Sequence, residues 1–76
     1  MNKARRKSLN ELYEIIENAK ARIEEIMEEE EEARDNIPES LQDTERYEKA
    51  DAACENLSSA IDSLEEALEY IEGAAE

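Results

Sequence analysis

Apolar residues recur along the chain in two stripes, Leu9, Leu12, Ile16, Ala19, Ile23, Ile26 and Ala33 in the first half and Tyr47, Ala50, Cys54, Leu57, Ile61, Leu64, Leu68 and Ile71 in the second. Alternating steps of three and four residues lay each set along one side of an α-helix. Read in opposite directions, the stripes pair about residue 40, with layers Leu9/Ile71, Leu12/Leu68, Ile16/Leu64, Ala19/Ile61, Ile23/Leu57, Ile26/Cys54, Glu30/Ala50 and Ala33/Tyr47. A register one heptad away would centre the fold inside a run that reads as helix. The segment 36–43 instead holds Pro38, which drives Ile37 out of the helical region, and ends near Asp43 and Thr44, residue types that cap a following helix. The pattern therefore predicts an all-α chain, an antiparallel two-helix coiled-coil hairpin.

The expected boundaries are helix 1 over about 3–35, a turn over about 36–43 and helix 2 over about 44–72, a single hairpin across 1–76 whose rod is about 45 to 50 Å long. Ser8 with Glu11 also matches a capping box, which would start helix 1 later and leave residues 1–7 as an arm. Gly73 is placed to terminate helix 2.

Composition narrows the function classes. The chain has 76 residues, 42% of them charged, with no His, Phe or Trp, one Gly, one Pro and one Cys. A nucleophilic triad needs a base such as His, and a phosphate-cradling loop needs several glycines, so no catalytic residue is assigned and an enzyme is not expected. Zinc ligands are lacking, no calcium loop occurs, and carboxylates on a straight helix diverge, so neither metal nor cofactor is implied. No apolar run reaches the length of a membrane span. Cys54, on the seam, reads as a small buried hydrophobe.

Charge is unevenly spread. Lys3, Arg5, Arg6 and Lys7 open a chain whose formal net charge is −14. In a hairpin this arm returns beside Glu65, Glu66, Glu69, Glu72 and Glu76, where opposite charges would hold the open end together. The surrounding carboxylates disfavour direct nucleic-acid binding. Within Glu28–Glu32, Glu30 falls on the seam; it either escapes to the edge, pairing with Arg46 or Lys49, or acts as a register-setting polar layer. Glu24, Glu25, Glu28, Glu29, Glu31, Glu32 and Asp35 are expected to form a carboxylate row for a basic partner. A second apolar flank, Ala53, Ala60 and Ala67 with Tyr13, Ile15 and Met27, is the expected dimer interface. It would build a homodimeric four-helix bundle, since a lone two-helix hairpin buries too little to be robust.

The stretch Asn36-Ile37-Pro38-Glu39-Ser40-Leu41-Gln42, with Thr44-Glu45-Arg46, the run Leu57 to Ala67 and the opening Met1-Asn2-Lys3-Ala4-Arg5-Arg6-Lys7, resembles small acidic hairpin proteins of phages and prophages of Gram-positive bacteria. The resemblance spans nearly the whole chain. It implies a setting in the cytoplasm of a bacterial host and carries over no functional residues. Two functions follow as expectations: an acidic interaction protein that inhibits a basic or nucleic-acid-binding host protein by imitating the charge of DNA, or a structural dimerisation spacer whose charge serves solubility.

Overall fold

The computed structural model describes residues 1–76: helix α1 over Lys3–Asp35, a short 3-10 turn over Glu39–Leu41, and helix α2 over Glu45–Ala74. The two long helices pack against each other as a hairpin measuring 59 × 15 × 12 Å. The rod is longer than the expected length of about 45 to 50 Å. Asn2 caps α1, its side-chain oxygen accepting from the Arg5 N–H at 2.8 Å. Ser8 therefore starts nothing: it lies inside α1, and its hydroxyl donates back to the Ala4 carbonyl.

The turn works as its proline requires. Pro38 sits at φ −54°, ψ 143°, and Ile37 before it is among the most buried residues of the chain. The Leu41 N–H reaches the Pro38 carbonyl at 2.8 Å and the Gln42 N–H the Glu39 carbonyl at 3.2 Å, closing the 3-10 turn. Thr44 has the extended backbone of an N-cap residue, yet its hydroxyl donates backward to the Leu41 carbonyl at 2.6 Å and caps no N–H of α2. Acidic Glu45 and Glu48 occupy the first turn of α2, where the helix dipole favours them.

Gly73 does not end α2. It has no positive φ, and the helix continues to Ala74 before Ala75 closes it, with the Ala75 N–H on the Ile71 and Gly73 carbonyls. The Schellman-type ending that a glycine permits is not used here.

The seam itself is rotated from the expected one. On α2, Tyr47, Ala50, Cys54, Leu57, Ile61, Leu64, Leu68 and Ile71 turn inward, with Cys54, Ile61 and Leu68 buried. On α1 the inward residues are Arg6, Leu9, Tyr13, Ile16, Lys20, Ile23, Met27, Glu30 and Arg34, continuing to Ile37. Leu9, Ile16, Ile23 and Glu30 belong to both readings. Leu12, Ala19, Ile26 and Ala33 are exposed, and Tyr13, Lys20, Met27 and Arg34 take their places.

Two cross-helix ion pairs explain the choice. Lys20 Nζ lies 3.0 Å from Glu65, and Arg34 Nη1 lies 3.1 Å from Asp51, so long aliphatic stems cover the seam while their heads reach acids on the far helix. Both pairs are symmetric about a point between residues 42 and 43, so each α1 residue faces α2 about one helical turn further along than a fold about residue 40 implies. Glu30 accordingly lies in the electrostatic neighbourhood of Cys54. It makes no ion pair with Arg46 or Lys49; Lys49 pairs with Glu45 at 3.1 Å.

The resulting core is thin: four of 76 residues are buried, and none of them lies in α1. In dilute solution Ile61→Ala should cost about 2 to 4 kcal/mol in urea unfolding, and Leu12→Ala under about 1 kcal/mol, whereas the unrotated seam makes the two losses alike. A methyl at Gly73 meets nothing within 4 Å. Gly73→Ala should therefore raise stability by about 0.5 kcal/mol, and a loss in the same measurement would restore the glycine to a capping role.

Candidate interaction surfaces

A seam bordered by two flanks divides the hairpin surface into sides of opposite chemistry. Lys20 and Arg34 lean toward Glu65 and Asp51, which marks one flank of each helix; Glu17, Glu24 and Glu31 of α1 and Glu72 of α2 share that side by heptad spacing. On the other flank runs a line of small or apolar residues at heptad spacing: Leu12, Ala19, Ile26 and Ala33 on α1, and Ala53, Ala60, Ala67 and Ala74 on α2. Ile15 and Tyr70 extend this side outward. Leu12, Ile15, Ile26 and Tyr70 are 49, 62, 38 and 71% exposed.

Charge is segregated to match. Across the positions that face the apolar side, from Arg5 to Ala33 on α1 and from Arg46 to Ala74 on α2, Glu29 is the one acid among the 23 of the chain, whereas Arg5, Arg22, Arg46 and Lys49 all occur there. Carboxylates have been kept off a surface about as long as the molecule. Isolated exposed apolar residues need no explanation, but a continuous apolar side rimmed by polar residues marks an interface.

The expected dimer residues are thus partly relocated. Tyr13 and Met27 serve the hairpin's own seam, Tyr13 lining a hollow with Ile71 and Ala75. Ile15 lies on the apolar side, and Ala53, Ala60 and Ala67 are half-buried at its edge. Leu12, Ala19, Ile26, Ala33 and Tyr70 join them, residues that periodicity alone had assigned to the seam or passed over. The signal that would have found them is the near absence of acids at their heptad positions.

The expected carboxylate row also takes a different form. Successive residues turn by about 100°, so the acids do not line one row: Glu25, Glu28, Glu32 and Asp35 face outward from α1, Glu24 and Glu31 are half-buried on the acidic flank, and Glu29 turns toward the apolar side. Glu24 is bridged by Lys20 at 3.3 Å, Glu25 by Arg22 at 3.1 Å and Asp35 by Arg34 at 3.1 Å. Glu28, Glu29, Glu31 and Glu32 have no cationic partner. On α2, Glu48, Glu55, Asp62 and Glu69 repeat every seventh residue along one outward line, all exposed and unpaired.

At the open end the basic arm does not neutralise the acids of α2. The Arg6 guanidinium donates from Nε to the Ala75 carbonyl at 2.8 Å and from Nη2 to the Met1 carbonyl at 3.0 Å, supplying a cation to the C-terminal end of α2. Lys3, Arg5 and Lys7 are exposed and make no ion pair. No group of His, Cys, Asp and Glu side chains converges as metal ligands would, and no helix is long and apolar enough to cross a membrane.

Three groups titrate away from their ordinary values. The hydrogen bond to Glu65 raises Lys20, and that to Asp35 raises Arg34. Burial raises the Cys54 thiol above its usual 9.0, against the pull of nearby Arg34. The folded chain therefore keeps the thiol proton at a pH where the unfolded chain releases it. That contribution is complete below about pH 9 and is lost as pH rises through the folded value. The urea midpoint should fall between about pH 8 and pH 10 more steeply for the native chain than for Cys54→Ala, and equal slopes would mean that the thiol is not desolvated.

Against these surfaces no protein-family model matches the chain, and no curated protein or solved structure does so either.

Proposed function

We propose that this protein is an acidic interaction module that pairs with a second copy into a four-helix bundle and uses its outward carboxylates to bind a basic, nucleic-acid-binding protein in the manner of DNA. The observation that carries the reading is the segregation of charge: one long side has shed its acids, and the remaining surface has concentrated them. A solvated spacer with acids placed only for solubility has no reason to keep one side free of them.

Magnitudes favour the dimer as the active form. A single hairpin carries −14 over 59 Å, about one net charge per 4 Å, whereas duplex DNA carries about one per 1.7 Å. Two hairpins side by side reach about one per 2 Å, close to the density that a DNA-binding surface is built to meet. Dimerisation also answers the thin core, because the exposed Leu12, Ile15, Ile26 and Tyr70 would be withdrawn from water. The helices hold their carboxylates at fixed spacing, so a partner orders no flexible tail on binding. An inhibitor made by a phage and acting on a host protein inside the bacterial cell is the setting this reading expects.

The test uses the chain as bait for a bacterial lysate. A DNA-binding protein should be retained, should be released by duplex DNA and by salt, and should be lost when Glu28, Glu31 and Glu32 are changed to Gln. Retention unaffected by those changes would remove charge mimicry and leave dimerisation as the protein's purpose.

A further inference from the structure

We infer that the second copy docks on the acid-poor side in antiparallel orientation, so that the basic N-terminal arm of one hairpin lies over the acidic turn end of its partner. The inference rests on the dimer proposed above and adds its geometry, which the charge distribution and the shape of the apolar side select independently.

The charge is unequal along the rod. Residues 21–63, the half that contains the turn, hold fifteen acids and four bases, a net −11; the open half holds eight acids and five bases, a net −3. A parallel pair sets −11 beside −11. An antiparallel pair sets each −11 half beside a −3 half, which roughly halves the product of like charges in contact along the bundle. It also gives Arg5, the arm residue that shares the heptad position of Leu12 and Ala19 and is exposed without an ion-pair partner, the unpaired acids of the partner's turn end, such as Glu39 and Asp43. A parallel pair would bring Arg22, Arg46 and Lys49 of the acid-poor side close to their own copies.

Shape gives the same answer. Leu12, Ile15 and Tyr70 are large, exposed apolar residues near the open end of that side, while toward the turn end its apolar positions are the small Ala33 and Ala53, flanked by Arg46 and Lys49. Antiparallel docking sets the large apolar residues of each copy against the alanines of the other; parallel docking sets large against large and small against small. Interdigitation of large with small residues is what close helix packing requires. A side 59 Å long and up to 15 Å wide is of the size that a standard interface needs, about 800 Å² from each partner.

The closing experiment reads orientation and assembly separately. A nitroxide is attached at the exposed turn through Ser40→Cys in a Cys54→Ala background, and the distance between labels is measured in samples whose mass is set by sedimentation equilibrium. Antiparallel docking predicts a dimer with labels about 50 Å or more apart, near the full length of the rod, and a parallel dimer would give about 20 Å. A dimer with the short distance overturns the orientation and leaves the dimer standing. A helical monomer at micromolar concentration overturns the dimer and the orientation with it. In the native Cys54 background, Arg5→Glu should weaken dimerisation severalfold at low salt with helical content unchanged. An unchanged dimer constant would overturn the contact between arm and turn.

Discussion

A two-helix hairpin buries one stripe from each helix and nothing more. This chain has more apolar residues than one stripe can hold, and the choice of which to bury governs everything else about it. On α1 the seam takes Tyr13, Lys20, Met27 and Arg34 rather than Leu12, Ala19, Ile26 and Ala33. The hydrophobic loss is offset because the Lys20 and Arg34 stems still cover apolar surface and their heads meet Glu65 and Asp51 across the seam. Such partly exposed pairs are individually weak. Their weight lies in register, since a slip of one turn would separate both at once.

That rotation releases a second apolar stripe. Leu12, Ala19, Ile26 and Ala33 come round to the side that already holds the α2 alanines, and the acids are displaced to the opposite flank and the outer surface. The hairpin is thus two-sided in a way that links its marginal core to its surface chemistry. Residues that would have strengthened the seam are left exposed on one side, and the carboxylates of the two helices, Glu29 apart, lie away from it. In the proposed dimer, stability and assembly draw on the same small set of side chains.

Much of the fold was legible in the residues. Heptad spacing on α2 identified its whole seam, and Pro38 marked the turn. Other local signals misled because each had a stronger competitor. Ser8 with Glu11 resembles a capping box, yet Asn2 caps first and good helix formers carry α1 through. Gly73 resembles a terminator, yet nothing demands a left-handed residue there. The apolar side was half legible: Ile15 and the alanines were placed outside the seam, as the structure has them, whereas Tyr13 and Met27 were taken for surface because a reader of periodicity assigns Lys and Arg to solvent before Leu and Ile.

The order of residues settled the class of fold, the antiparallel topology and the excess of acid, because periodicity, proline and charge are local properties that no packing can reverse. Only the packed helices decided which face of α1 turns inward, where the register falls and which side is left free of carboxylates. Those choices depend on how far a lysine or arginine stem reaches across a seam, and that reach has meaning only when a second helix stands at the other end of it.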